Sequence, residues 1–166
     1  MGQYFKIVNL TKKEYIQPNL LGGGIKLGAL GHGLQGVALC RLLASPGSEN
    51  PKAYGNTEKD SVYVGYWSGD KLVIPGDYDE VDGSGYNLYH KVGIDPEYKN
   101  ITHHVLRWLV KDKDALGALT QLAKNNQDLL LALSRLVFEE GNNEIDDHLK
   151  QNISLNWPKL LSQKNY

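Results

Sequence analysis

The pattern of apolar and polar positions changes near residue 100. Before that point, short β-branched and aromatic runs alternate with glycine-rich and polar turns, a texture typical of strands. After that point, leucines recur every three or four residues, which predicts amphipathic helices. We therefore expect a single domain, residues 1–166, with an α+β fold. A small, mainly antiparallel sheet within residues 4–92 should pack against a C-terminal helical cluster within residues 100–161.

The N-terminal part contains several predicted elements, each bounded by turn residues. Strands are predicted where β-branched and aromatic residues concentrate, and Pro18 ends the second of them because proline lacks a backbone donor for the sheet. The predicted elements are, in order, strands over 4–10 and 14–16, a helix over 34–44, a hairpin over 61–74 that turns at 68–70, and a strand over 86–92.

The C-terminal part is predicted to form four helices, each with one apolar stripe that faces a core. Asn125-Asn126 separates the second helix from the third, and Gly141 ends the third. A short final turn is predicted at 157–161. The stripes are marked by Ile101, Val105, Trp108 and Leu109; by Leu116, Leu119, Leu122 and Ala123; by Leu129, Leu130, Leu133, Leu136 and Val137; and by Ile145, Leu149 and Ile153.

Composition and charge argue against two classes of partner. The chain has 18 lysines and arginines against 19 acids, and neither half is polarised. Proteins that bind duplex nucleic acid draw much of their affinity from a dense positive field, so no such partner is expected. No apolar run approaches the roughly 18 residues that a membrane-spanning helix needs, so no membrane partner is expected either.

Cys40 is the single cysteine of the chain, so no intramolecular disulfide can form. Its apolar neighbours predict a small buried residue rather than a catalytic thiol. The N-terminal segment also lacks the apolar core of a secretory signal. A reducing compartment, the cytoplasm, is therefore the expected location.

Gly31, Gly33 and Gly36 form a G-x-G-x-x-G pattern ahead of an apolar, helix-like run. A dinucleotide-binding turn also needs a buried strand before the glycines and an acid after a second strand. Residues 25–30 hold a lysine and a glycine and make a poor strand, so an ordinary glycine turn is favoured and no cofactor is predicted. A phosphate at the helix N-terminus stays physically allowed, with His32 as its nearest titratable neighbour.

Residues 77–83 place four acids on one loop, where oxygen ligands can hold a metal ion. Their spacing differs from that of an EF-hand, and position 88, where the closing glutamate would fall, is a leucine. His103 and His104 point about 100° apart on a predicted helix and cannot easily share a metal. We predict no metal site. Since no nucleophile elbow or related motif is present, we also predict no catalytic residue.

Tyrosines are the most distinctive feature, because seven of them crowd into residues 54–98 with glycine, aspartate and asparagine between them. Tyrosine combines apolar area with a polar tip, which suits a recognition surface. Tyrosine also favours ordinary sheet positions, so both interpretations stay open. The candidate residues for binding a ligand or partner are Tyr66, Trp67, Asp77 and Tyr78 beside the predicted hairpin, with His32 and Gly33 from the glycine turn.

Two blocks of the chain resemble a group of uncharacterised bacterial proteins. The first is the opening, residues 1–28, with M-G-Q-Y-aromatic followed by V-N-L-x-K-x-E-Y. The second is residues 64–78, with W-x-G-D followed by G-D-Y. The resemblance covers about a quarter of the chain and leaves out the helical part. It implies a bacterial or phage setting, and neither an activity nor a site residue follows from it.

The residues favour a non-enzymatic, cytoplasmic binding protein that recognises a small ligand or a protein partner through an aromatic-rich sheet and loop surface. A phage, defence or immunity role is a conjecture from the setting alone. The alternative is an enzyme that acts on a nucleotide or a sugar, with phosphate held at residues 31–36 and an acid from 77–82 doing proton or metal work. That enzyme needs His32 and the acidic loop to converge on one pocket. A structural or oligomeric subunit is a third class.

Overall fold

Short strands from the N-terminal part and helices from the C-terminal part form an α+β fold, so the predicted fold class is confirmed. The structure, a computed structural model, describes residues 3–21, 26–30, 34–45, 64–110, 113–123 and 126–138. In chain order the elements are β1 (Ile7–Asn9), β2 (Glu14–Ile16), a 3-10 helix (Pro18–Leu21), α1 (Leu27–Leu30), α2 (Leu34–Leu43), β3 (Leu72–Val73), α3 (Leu88–Ile94), β4 (Lys99–Asn100), α4 (Thr102–Leu109), α5 (Lys113–Ala123) and α6 (Gln127–Phe138).

The sheet has the strand order β3-β1-β2-β4 and is mixed. β1 pairs antiparallel with β2, with Val8 opposite Tyr15, and antiparallel with β3 on its other side, whereas β2 pairs parallel with β4. A tight turn joins β1 to β2. In that turn Lys13 has a positive φ of 56°, and the side chain of Asn9 accepts a hydrogen bond from the backbone N–H of Lys12. The short connection fixes the register of the hairpin.

Both faces of the sheet are covered, because alternate side chains of each strand point to opposite sides. Ile7 and Ile16 point into the main core, which they share with the helices. Val8 and Tyr15 point to the other face, where they pack with Val92 of α3 in a second, smaller cluster. The tyrosine of the sheet therefore contributes to packing rather than to an open aromatic platform.

The main core is built chiefly from the apolar stripes of α2, α4, α5 and α6 and from the 3-10 helix that packs against them. Burying one leucine side chain contributes about 2 kcal/mol, so these stripes hold the helices together. The periodicity thus predicted α4, α5 and α6 correctly. The fully buried leucines of the described residues are Leu21, Leu42, Leu106, Leu109, Leu119, Leu129, Leu133 and Leu136.

The predicted hairpin over 61–74 is wrong where the structure describes it. Residues 64–69 form successive turns, and β3 pairs with β1 instead of with them. Trp67 enters the main core, and positive φ angles at Gly65 and Gly69 bend the chain on either side of it. Burial of the large indole outweighs the local alternation that favours an extended strand.

The predicted strand over 86–92 is also wrong, because this segment contains the helix α3. Asn87 caps that helix, and its side chain accepts a hydrogen bond from the backbone N–H of His90. The cap and the burial of Val92 against the sheet outweigh the strand propensity of the neighbouring aromatic residues.

Three other predictions concern the burial of Cys40, the extent of the sheet and the elements after residue 144. Cys40, expected to be buried, lies exposed on α2, because other residues of that helix take the positions that face the core. β4 extends the sheet beyond the expected limit at residue 92. The helix expected over 145–153 and the final turn expected at 157–161 lie outside the described residues.

Candidate interaction surface

Glu14, the first residue of β2, is a buried carboxylate held by two aromatic side chains. The hydroxyl of Tyr66 donates to its Oε1 at 2.9 Å, and the indole Nε1–H of Trp67 donates to its Oε2 at 2.8 Å. Trp67 is fully buried, and Tyr66 is partly buried. A buried carboxylate without hydrogen-bond donors is costly, so these two contacts fasten the turns at 64–69 to the β1–β2 hairpin.

Asp70 makes a second contact between the same two segments. Its Oδ2 accepts hydrogen bonds from Asn9 Nδ2 and from Lys12 Nζ, both at 2.7 Å. Burial alone would raise the pKa of Asp70, but the hydrogen bonds from Lys12 and Asn9 and the charge of Lys12 together hold that pKa below its ordinary value. The ionised carboxylate of Asp70 therefore holds the end of the turns at 64–69 against the β1–β2 turn.

Asp77 and Asp79 bind the N-terminal residues in the same way. Asp77 Oδ1 accepts a hydrogen bond from the backbone N–H of Tyr4 at 2.8 Å. Asp79 accepts from Gln3 Nε2 at 2.9 Å and from the backbone N–H of Gly76 at 2.8 Å. A Cβ atom at Gly76 would lie 1.9 Å from Gln3 Nε2, so the close approach of the two segments requires glycine or a displaced glutamine.

The described N-terminal residues 3–16 and residues 64–78 therefore lie against each other. Glu14 and the turns at 64–69, Asn9 and Asp70, and Tyr4 and Asp77 each join one block to the other. The polar side chains at these positions are satisfied by contacts within the fold. The motif thus has a structural explanation that does not depend on a substrate.

Residues 76–87, which we call the acidic aromatic loop, lead from β3 to α3. The base of the loop is closed by Asn87, whose Nδ2 donates to the backbone carbonyls of Asp77 at 2.8 Å and of Asp79 at 3.2 Å. The same side chain caps α3. One buried amide thus fixes both the path of the loop and the start of the helix.

The tip of the acidic aromatic loop is held by its own hydrogen bonds. Asp82 Oδ1 accepts from the backbone N–H of Ser84 at 2.7 Å, and the backbone N–H of Asp82 donates to the carbonyl of Tyr86 at 3.2 Å. Gly85 supplies the positive φ, 81°, that the turn requires. Compact loops that are ordered in this way are often functional, because they need little further ordering to bind.

The acidic aromatic loop exposes apolar side chains although its backbone is ordered. Tyr78, Val81 and Tyr86 keep 64%, 66% and 51% of their surfaces open to solvent. Tyr4, whose backbone pairs with that of Asp77, lies beside the loop and is 42% exposed. A concentration of exposed apolar side chains on one ordered segment is typical of an interaction surface.

The same loop concentrates negative charge. It contains no lysine or arginine, and its acids are Asp77, Asp79, Glu80 and Asp82. Hydrogen bonds from the side chain and backbone of Ser84 outweigh partial desolvation and, with the nearby charge of Lys91, lower the pKa of Asp82. That carboxylate is ionised at neutral pH, so the loop presents negative charge beside its exposed rings.

Lys6 of the segment before β1 lies between two tyrosine rings. Its Nζ is 4.2 Å from the ring centroid of Tyr89 and 5.5 Å from that of Tyr15, and it donates to the backbone carbonyl of Tyr89 at 2.7 Å. Burial lowers the pKa of Lys6, while burial and the charge of Asp77 raise the pKa of Tyr89. Lys6 therefore ties the sheet to α3.

The candidate binding residues predicted from sequence take different positions. Trp67 lies in the core, where its indole cannot touch a partner, and Tyr66 is partly buried and bonded to Glu14. Asp77 positions the loop, whereas Tyr78 is displayed on it. A binding role for Tyr78 stays a prediction.

Two exposed residues of this surface, Tyr4 and Val81, were missed by the sequence reasoning, and Tyr86 was counted among the clustered tyrosines but not among the candidate binding residues. The sequence did contain one indication of this surface. Val81 is an apolar residue between two acids in a polar run, a pattern that does not match a buried helix or strand. His32 and Gly33 lie outside the described residues, so a convergence of His32 with the acidic loop is not tested.

Comparisons with models of known protein families, with curated proteins and with solved structures give no match. Across the part of the chain that the structure describes, no helix has both the length and the apolar character needed to cross a membrane. The same residues contain no group of three or more histidines, cysteines, aspartates or glutamates placed to hold a metal ion.

Proposed function

We propose that this protein is a non-enzymatic binding protein that recognises a protein partner through the acidic aromatic loop. The observation that carries the proposal is the exposure of Tyr78, Val81 and Tyr86 on a loop whose backbone is already hydrogen-bonded. Exposed aromatic area supplies contact energy, and an ordered loop loses little conformational entropy when a partner binds.

A protein partner fits this surface better than a small ligand does. Small-molecule sites are concave, and they enclose most of the ligand. Tyr78 and Val81 keep 64% and 66% of their surfaces open, which is typical of a convex surface that meets a second macromolecule. Tyrosines are frequent on protein-binding loops, because each ring adds a large and rigid contact area with a polar tip.

The acids of the loop support binding rather than proton transfer. Asp77 and Asp79 accept hydrogen bonds from Tyr4, Gln3 and Gly76, which assigns both carboxylates to holding the loop in place. The alternative of an enzyme with phosphate at residues 31–36 stays a prediction, since residues 31–33 are outside the described part.

Site-specific photocrosslinking tests the proposal. A benzophenone amino acid is placed at Tyr78 or Tyr86, and at Leu27 of α1 as a control that is 55% exposed but lies off the loop. In an extract of bacterial cells, we expect a discrete adduct from both loop positions and none from position 27. Unlabelled wild-type protein should compete with the adduct, and the Y78S/V81S/Y86S variant should not.

Two results would overturn the proposal. One is an equal set of adducts from the loop positions and from position 27. The other is equal competition by the triple variant, provided that the variant melts at the wild-type temperature. Because the three side chains are exposed, we expect their replacement to change stability by no more than about 0.5 kcal/mol each.

The cellular setting belongs to the same proposal. A bacterial or phage origin, with a role in defence or immunity, rests on the resemblance of the two sequence blocks. The cytoplasm is proposed because the chain has a single cysteine, Cys40, which is free and exposed.

A further inference from the structure

Lys12 shows how this chain accommodates a cation. Its Nζ lies 5.2 Å from the centroid of the Tyr66 ring and 2.7 Å from the carboxylate of Asp70. The ring face attracts the ammonium group, and the carboxylate completes a charged hydrogen bond. The Lys12 ammonium group thus contacts one aromatic face and one carboxylate at the same time.

Lys13, the next residue of the same turn, repeats the arrangement. Its Nζ lies 5.0 Å from the centroid of the Tyr98 ring and 3.6 Å from Glu97. Lys6 lies over the ring of Tyr89 at 4.2 Å, again with an oxygen acceptor at hydrogen-bond distance. Tyrosine rings beside oxygen acceptors are therefore a recurrent cation site in this protein.

The acidic aromatic loop contains the same residue types, exposed tyrosines and acids that are close in sequence. The exposed Glu80 lies two positions after Tyr78, and the backbone of Tyr86 is hydrogen-bonded to that of Asp82, whose carboxylate lies 3.5 Å from Lys91. Among the described residues, no lysine or arginine lies over the ring of Tyr78 or of Tyr86. These rings are thus open to a cation from a second molecule.

We infer that the partner is a protein segment that carries lysine or arginine side chains next to apolar ones, an inference that rests on the proposed function. Its cations lie over Tyr78 and Tyr86 and pair with acids such as Glu80, and its apolar side chains pack on Val81. The loop carries four acids and no basic residue, and Lys91 lies 3.5 Å from one of these acids, Asp82, so the loop is locally negative although the net charge of the whole chain is only −1. This local field orients the partner. The same field repels phosphate groups of nucleic acids and of anionic membranes.

Selection of short random peptides displayed on phage tests this inference. The library is panned on the wild-type protein, with counter-selection on the Y78A/Y86A variant, so that only binders that need the two rings are kept. We expect the retained peptides to be rich in lysine or arginine with apolar neighbours. Versions of these peptides with glutamine at every basic position should bind at least about tenfold more weakly.

Matched variants identify the groups that hold the cation. With a synthetic retained peptide, we expect Y78A to weaken binding roughly tenfold and Y78F, which keeps the ring, to stay within about twofold of wild type. We expect E80Q to weaken binding, while E97Q, which removes the same charge outside the loop, leaves it unchanged. Binding should weaken as salt rises, because exposed charges are screened.

Each outcome decides one of the claims. Retained peptides without basic residues would overturn the cationic partner and leave the proposed function standing. Equal losses for E80Q and E97Q would overturn the local charge match. Competition by spermidine as strong as that by the peptide would replace a protein segment with a small polyamine. If no peptide distinguishes wild type from Y78A/Y86A, the cationic segment is overturned, while the proposed function is decided separately by the photocrosslinking at Tyr78 and Tyr86.

Discussion

Replacing Glu14 with alanine removes a buried carboxylate that accepts hydrogen bonds from Tyr66 and Trp67. Each hydrogen bond to a charged group is worth about 1.5–3 kcal/mol, and the loss leaves the indole N–H of a fully buried tryptophan without its acceptor. We therefore expect E14A to lower the free energy of unfolding by about 3–5 kcal/mol. For a chain of this size, that corresponds to a fall in melting temperature of roughly 10 °C.

Two further variants, E14Q and Y66F, show how much of the stability loss in E14A comes from each hydrogen bond. In E14Q the amide oxygen can accept from Trp67 and the amide nitrogen can donate to the hydroxyl of Tyr66, so we expect a loss of only about 1–2 kcal/mol. Y66F removes one donor and should cost a similar amount. The double variant E14A/Y66F should cost less than the sum of the single changes by about 1–2 kcal/mol, because both remove the same hydrogen bond.

Urea unfolding at neutral pH measures all of these values. E97A serves as the control, since Glu97 is an exposed acid in a surface ion pair and should cost no more than about 0.5 kcal/mol. If E14A is no more destabilising than E97A, or if the effects of E14A and Y66F simply add, the carboxylate does not hold the turns at 64–69 as described.

Three further changes test other parts of the molecule. Because the pKa of Asp70 is lowered in the folded state, the stability advantage of wild type over D70N should be full above about pH 4 and decline as the pH falls through the lowered pKa; a difference independent of pH in urea unfolding would contradict this. N87A removes the cap of α3 and two hydrogen bonds to the loop, so thermal unfolding should show a loss of about 2–3 kcal/mol, and a neutral result would refute that role. G85A places a side chain at a φ of +81° and should cost about 1–2 kcal/mol, whereas G83A, in open space without such an angle, should be neutral; equal melting temperatures for the two would show that the loop is not held as described.

The parts of the fold that sequence predicted well are those with local causes. The helices α4, α5 and α6 follow from a leucine stripe that each segment carries by itself. The second strand, Glu14–Ile16, follows from the strand propensity of Tyr15 and Ile16 and from Pro18, which ends it. In each case the residues that decide the structure lie within the element.

The parts that sequence missed depend on distant partners. Nothing within residues 64–69 shows that Trp67 will bond to a carboxylate 53 positions earlier, and the alternation of apolar residues suggests a strand. The start of α3 depends on the Asn87 side chain, which also holds two loop carbonyls. Such contacts become visible only when the chain is folded.

The exposure of individual tyrosines could not be predicted from the sequence. Tyrosine content left a recognition surface and ordinary packing both open, and the same residue type serves the core at Tyr15, the Glu14 contact at Tyr66 and the exposed loop at Tyr78. Burial separates these roles, and burial is set by tertiary packing.

The long sequence separations within the sheet have a consequence for synthesis of the chain. The β1–β2 hairpin leaves the ribosome before the rest of the sheet, because the donors to Glu14 lie 52 and 53 positions later, the contact between Tyr4 and Asp77 spans 73 positions, and β4 ends at Asn100. A lone hairpin is at best marginally stable in water, and closing such distant contacts is slow. We therefore expect the hairpin to stay unfolded in the nascent chain until residues 66–100 have been synthesised, which leaves a period in which chaperones can bind it.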